Sequence, residues 1–232
     1  NRRVDLDLSL RTPMSADWAL VGGVALNGSK LDRQNRALSD WRDTNSAGAQ
    51  LAADGGTSDN AALFLQSEHY LAGGVTAYLG VRYDRFETQG YARQVAAPAF
   101  DESYPTRGFD QVSPKVALVW EAQDWLSLRA SYGQGFRPPA LFDLYGLNVI
   151  TAGPTTLVYE PSPGLVPERV QAFEVGADVA FAAGGRASAT LYRQRLQDFV
   201  YRRTLATSTA TVTRTRAENV GEADVDGIEA DV

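Results

Sequence analysis

Apolar residues recur at every second position through most of the chain. Between residues 4 and 11, Leu6, Leu8 and Leu10 share one face, and Asp5, Asp7 and Ser9 share the other. Residues 18–26 group Trp18, Leu20, Gly22, Val24 and Leu26, and residues 75–84 set Val75, Ala77, Leu79, Val81 and Tyr83 against Thr76, Tyr78, Gly80, Arg82 and Asp84. The same period predicts strands over 61–70 (less regular), 115–121, 126–133, 173–181, from 187 onward and over 212–232. Nine period-2 segments separated by turn residues define an all-β chain. An apolar face opposite a small or polar face suits a strand with lipid on one side and a lumen on the other.

The connections alternate in length. Short turns fall near 13–17, 71–74, 122–124 and 182–185, and long polar loops are expected near 28–59, 87–111, 134–168 and 201–211. That sorting fits an outer-membrane barrel, with tight turns at one end and long loops at the other. Trp18, Trp120 and Trp125 stand beside short turns, and Tyr83 and Tyr132 lie toward the far ends of their strands. Such placement fits aromatic girdles at the two membrane interfaces. The expected fold is therefore an antiparallel transmembrane β-barrel, present in part. About nine strands are a piece of a larger barrel of the plugged class. The chain reads as an internal segment, with plug and remaining strands outside it and two open sheet edges.

Composition narrows the function. The 232 residues carry 22 Lys and Arg against 28 Asp and Glu, a formal charge of −6, which argues against nucleic acid. Hydrophobic residues make up 44%, too many for a disordered chain. No apolar run approaches the roughly 18 residues of a membrane-spanning helix. Without cysteine and with a single histidine, His69, thiolate and imidazole metal sites are nearly excluded, and no metal or cofactor is expected. No nucleophile, base and orienting group fall into a catalytic pattern, so an enzyme is the least expected class. Glu222-x-Asp224-x-Asp226-Gly227 reads as a strand with a polar lumen face rather than a calcium loop, because its acidic residues alternate with Ala223, Val225 and Ile228 where such a loop needs flanking helices.

Residues 127–146, Ser-Leu-Arg-Ala-Ser-Tyr-Gly-Gln-Gly-Phe-Arg-Pro-Pro-Ala-Leu-Phe-Asp-Leu-Tyr-Gly, are the most distinctive stretch. A strand ending in Tyr132 and Gly133 is expected to break at Gly135 and Pro138-Pro139, through glycine freedom and missing N–H donors. This stretch, with Phe136 and Arg137, resembles the Ser-Tyr-Gly-x-Gly-Phe-Arg-x-Pro signature of TonB-dependent outer-membrane receptors. Pro161-Ser-Pro-Gly-Leu165-Val-Pro167-Glu168 resembles that family's Asn-Pro-x-Leu-x-Pro-Glu element, with serine and glycine at Ser162 and Gly164 where other residues are usual. Asn219-Val-Gly-Glu-Ala through Gly227-Ile-Glu229, Leu191 to Val200, and Leu79 to Asp84 resemble further elements in the family's order.

The resemblance implies an outer-membrane receptor that binds a scarce nutrient, commonly a ferric siderophore or cobalamin, and imports it with energy delivered through TonB. It implies lipid and the TonB complex as partners. Arg137 is then either an ordering hydrogen-bond donor or a ligand contact, and Glu168 is expected to pair with a basic neighbour. Lumen-facing Arg82, Asp84, Arg129, Glu174 and Asp178 would make a polar wall. Loop candidates for the ligand are Trp41, Tyr91, Phe100, Tyr104, Arg107, Tyr145 and Tyr159, since aromatic residues and arginine dominate hot spots. Receptors for haem often carry a histidine in the loop after the Phe-Arg-x-Pro motif, and residues 134–168 have none. A passive porin-like channel fits the alternation equally well but not the proline elements. A soluble β-rich binding domain conflicts with the apolar faces of Leu6–Leu10 and Val75–Val81.

Overall fold

The computed structural model describes every residue except Trp41, residues 96–98 and residue 183, together with all side chains but those of Phe100 and Ala152. Nine long strands form the wall: β1 (Arg2–Ser15), β2 (Trp18–Leu38), β3 (Ala47–Leu71), β4 (Val75–Gln94), β5 (Phe100–Gln123) and β6 (Leu126–Arg137), then β9 (Glu168–Ala180), β10 (Arg186–Thr204) and β11 (Val212–Asp231). Between β6 and β9 the chain forms a one-turn helix, α1 (Leu141–Tyr145), and a small hairpin, β7 (Asn148–Ala152) and β8 (Thr155–Glu160). The sheet order is β1-β2-β3-β4-β5-β6-β9-β10-β11-β8-β7. Every wall pairing is antiparallel, and only β8 on β11 is parallel. The sheet is not closed, so β1 and β7 are its free edges.

The two faces sort as the alternation requires. Leu6, Leu8, Leu63, Leu79, Leu118, Phe173 and Leu191 each keep between 46 and 61% of their surface exposed, an apolar band that water would not tolerate. On β4 the band runs from Val75 to Tyr83, nine residues, close to what a tilted strand needs to cross the hydrocarbon. It stops abruptly: the Tyr83 hydroxyl donates to Asp110 at 2.6 Å, and Arg85 pairs with Glu87 at 2.9 Å and Asp110 at 3.3 Å on the same outer face. At the opposite boundary Trp18 donates to the Ser67 hydroxyl at 2.7 Å and stacks on His69, while Trp120 donates to the Gly73 carbonyl at 3.2 Å.

The inner face is polar and internally paired. Asn27 donates to Asp5 at 2.8 Å, Asn60 to Asp84 at 3.0 Å, and Arg82 to Asp84 at 2.8 Å. Arg129 pairs with Asp178, and the register opposite Ser131 puts Glu174 on the same face. At several inner positions a large side chain lies flat over a glycine. A Cβ on Gly23 would meet the Phe64 ring at 2.4 Å, one on Gly176 the Arg129 guanidinium at 2.7 Å, and one on Gly227 the Tyr192 ring at 2.3 Å.

Three expectations are corrected. Most of residues 28–59 and 87–111 are strand, not loop, and the connections shrink to 39–46 and 95–99. Polar residues continue the backbone ladder past the membrane band, where no apolar alternation marks them. Pairing of β6 continues through Gly133 and Gly135 to Arg137, and the break falls at Pro138 alone, since glycine keeps the N–H that proline lacks. Glu222, Asp224 and Asp226 face outward, not into the lumen: their register opposite Gln197, Arg195 and Arg193 places them on the face of Leu191 and Ile228.

Candidate functional site

The buried apolar clusters among the described residues lie not beneath the membrane band but under the segment between Pro138 and Pro167. One contains Leu144, Tyr145, Leu165 and Ala217, and the other contains Ala52, Ala92 and Leu147, with Tyr104 packed against both. The segment turns inward at the end of the barrel that carries the long hairpins and forms a ledge across the inner wall. Its helix is a single turn whose Ala140 cap makes no side-chain bond, so packing rather than propensity holds it.

Tyr145 is the anchor. Its ring lies against the paired residues Gly56 and Gly90, where added Cβ atoms would approach it to 2.5 and 2.4 Å. The Tyr145 hydroxyl sits 3.1 Å from the Thr88 hydroxyl, which itself donates to the Thr57 carbonyl at 3.0 Å. The Tyr104 ring stacks on it at 5.6 Å. Burial pushes both phenols up from their ordinary range, that of Tyr104 aided by Glu102 beside it.

The returning stretch Pro161–Glu168 is strapped down by hydrogen bonds. Ser162 donates its hydroxyl to the Ala217 carbonyl, and Arg107 donates to the carbonyls of Pro163 and, at 3.2 Å, Leu165. Asn219 accepts the Val166 N–H at 2.9 Å and donates to the carbonyls of Val166 at 3.0 Å and Asp198 at 2.6 Å. Asp198 sits at φ 56°, a kink in β10 that aims its carbonyl at this amide. Replacing Asn219 by alanine leaves these backbone groups unpaired and should cost about 1–3 kcal/mol. The expected readout is faster amide exchange at Val166, with the strands of the band unaffected.

Glu168 closes the strap. One carboxylate oxygen pairs with Arg137 and the other accepts the Val200 N–H at 2.6 Å. Burial raises this carboxyl, but the Arg137 bond and the Val200 N–H outweigh it and hold the group below its ordinary range. A depressed folded value stabilises the native state above the unfolded value of about 4.3 and is lost as pH falls through the folded value. The protein should therefore lose stability to urea below about pH 4, and Glu168→Gln should reduce stability at pH 7 while flattening that part of the profile.

Facing the lumen, α1 and the walls build an alternating stack of cations and rings. Arg33 lies 4.6 Å over Phe142, and Arg202 lies 5.8 Å from Phe142 and 4.8 Å from Tyr159. Arg33 is held by Asp54 at 2.8 Å and the Leu147 carbonyl at 3.0 Å, and Arg202 by Asp143 at 2.6 Å. Beneath α1 an open cavity of about 960 Å³ is bounded by Asn27, Asn60, Arg82, Asp84, Phe136 and Phe142, a size suited to a small-molecule ligand. No group of residues that could hold a metal ion occurs among the described residues.

The ligand candidates named from the sequence are thus divided. Tyr145 is buried in the ledge, Tyr104 is stacked beneath it, and Arg107 and Arg137 are committed to the strap. Tyr91 lies on the outer face, its hydroxyl 3.3 Å from Asp32. Tyr159 joins the lumen-facing stack. Trp41 and the Phe100 side chain lie outside the described parts. Arg33, Phe142 and Arg202 were not singled out, and only Phe142, inside the motif, carried any signal.

A sheet with a lipid-facing apolar band, aromatic boundaries, a polar inner wall and an inward ledge is the wall of an outer-membrane β-barrel. The family described as "TonB dependent receptor-like, beta-barrel" matches residues 1–232, and the chain belongs to it. Its members are outer-membrane proteins of Gram-negative bacteria, transport receptors rather than enzymes. Among curated proteins, a hemin receptor of Yersinia enterocolitica is 30% identical over 115 residues, 46% of this chain and 15% of that receptor. Among solved structures, the copper transporter OprC matches 98% of the chain and 34% of its own at TM-score 0.73 and 20% identity. The hemophore receptor HasR of Serratia marcescens, in complex with its hemophore HasA and heme, matches 92% and 40% at 0.64 and 18%. The ferric yersiniabactin receptor FyuA of Yersinia pestis matches 98% and 32% at 0.64 and 18%. The chain therefore spans well under half of each of these relatives, and the structural matches show the fold.

Proposed function

We propose that the chain is the central wall of a receptor that takes up a scarce nutrient, foremost an iron–siderophore complex, with energy supplied through TonB. The long-hairpin end then faces the cell exterior and the short turns face the periplasm. The observation that carries this reading is the lumen-facing stack of Arg33, Phe142, Arg202 and Tyr159 above the polar cavity, held by a ledge made of the family's own motifs. Rigid rings and arginines are the groups that dominate binding hot spots. Likeness to proteins described as an iron transporter, a ferric yersiniabactin uptake receptor and a hemin receptor supports the ligand class.

Haem is the second reading, favoured by the likeness to the hemin receptor. His69, the one histidine, sits at the short-turn end on the lipid-facing side, stacked on Trp18 at 6.0 Å, so it cannot meet a ligand entering at the ledge. The test is ⁵⁵Fe uptake by cells expressing the complete receptor, offered ferric trihydroxamate, ferric catecholate or haem, with and without an uncoupler. Uncoupler-sensitive uptake of a ferric chelate is the expected result. Uptake insensitive to the uncoupler would instead indicate a passive pore.

A further inference from the structure

Each of the four arginines that face the stack and the cavity is matched by one carboxylate. Arg3 pairs with Asp5 at 2.8 Å and Arg82 with Asp84 at 2.8 Å, each two residues along the same strand. Arg33 donates to Asp54, directly opposite on β3, through two bonds of 2.9 and 2.8 Å. Arg202 reaches Asp143 of α1 at 2.6 Å. Arg2 and Lys30 also border the cavity, but their register puts them in the outward row of Leu6 and Leu26. The other side chains of the lining are uncharged. Ser29 stands opposite Ser58 and Asn27 opposite Asn60, joined by Ser113 and by the rings of Phe136 and Phe142.

We propose that the chelate taken by this site is electrically neutral, a ferric ion wrapped by three hydroxamates rather than by three catecholates. Three hydroxamate monoanions cancel the ferric charge, whereas three catecholate dianions leave the complex a trianion. Capturing a trianion calls for cations in excess, so that the wall carries a positive field. Here Asp5, Asp54, Asp84 and Asp143 cancel the arginines and would oppose the ligand's own charge, at a cost in affinity. A neutral chelate meets no such opposition. Its carbonyls and amides suit the serine hydroxyls and asparagine amides, and its aliphatic arms suit the faces of Phe136 and Phe142. Held between carboxylate and ring, Arg33 and Arg202 then fix the stack in place instead of binding charge. This inference rests on the reading of the receptor as an importer of ferric chelates and narrows which chelate it takes.

The test is equilibrium binding of ⁵⁵Fe-labelled chelates of either charge to the complete receptor, on de-energised cells that make no other chelate receptor. The neutral trihydroxamate is expected to bind roughly tenfold or more tightly than the tricatecholate trianion. Asp54→Asn combined with Asp143→Asn frees two cations, and the ratio of affinities should then move toward the trianion by roughly tenfold, counted per folded, heat-modifiable receptor. The wild-type comparison needs no variant, so it decides the matter even where the double variant fails to assemble. A wild type that prefers the trianion would overturn this inference alone and leave the importer reading in place. Binding of neither chelate would overturn both. A ratio unmoved by the two substitutions would show that charge matching does not set the preference, and would overturn the inference as well.

Discussion

Gly90→Val should expel the ledge while leaving the barrel intact. A Cβ at position 90 would lie 2.4 Å from the Tyr145 ring and 2.6 Å from the Gly55 carbonyl, and neither has anywhere to go. The ring is fully buried and stacked on Tyr104. The one-turn helix must therefore lift away from the wall, taking Phe142 out of the stack with Arg33 and Arg202. Tyr145→Ala should do the same from the other side, at about 3–5 kcal/mol for a fully buried ring. The measurement is chymotrypsin cleavage of the complete receptor in membranes at Phe142 and Tyr145, resistant in the wild type and rapid in both variants. Gly133→Ala is the control, because its Cβ would meet nothing closer than 4.0 Å. If Gly90→Val stays resistant and binds ligand normally, the glycine slot is not what seats the ledge.

The second large effect belongs to the lipid face. Leu79, 49% exposed at the middle of the β4 outer row, should be intolerant of arginine. A cation there faces hydrocarbon at a cost of about 2–4 kcal/mol, against roughly nothing near the interface. Leu79→Arg is expected to lower the fraction of heat-modifiable, folded receptor in the outer membrane. Gln66→Arg, on the inner face opposite Gly80, is expected to assemble normally. Equal assembly of the two would reverse the assignment of the faces.

How much of this was legible in the sequence follows from what each region touches. Where lipid meets the wall, solvent imposes a period of two, so the outward rows of β1, β2 and β4 could be read directly. Past Tyr83 both faces of a strand are polar and the signal vanishes, although the ladder from Phe86 to Gln94 continues unbroken on β3. That loss of signal turned long hairpins into expected loops and put Asp224 and Asp226 on the wrong face. The strap motifs were visible as motifs, but their work was not. The seat of Tyr145 is made by Gly56 and Gly90 from two other strands, and the stack joins Arg33 to Arg202, separated by most of the chain. Such a meeting is set by register and topology, which local composition does not encode.

The glycines of the inner wall decide how much room the barrel has. At Gly23, Gly176 and Gly227 a ring or guanidinium reclines along the sheet instead of standing upright in the lumen. Each therefore thins the lining by the depth of a side chain without making the wall apolar or leaving it bare. A Cβ at any of the three would push Phe64, Arg129 or Tyr192 toward the axis. These three positions act as a calibre: they set the clear diameter left for whatever domain or solute the lumen must hold.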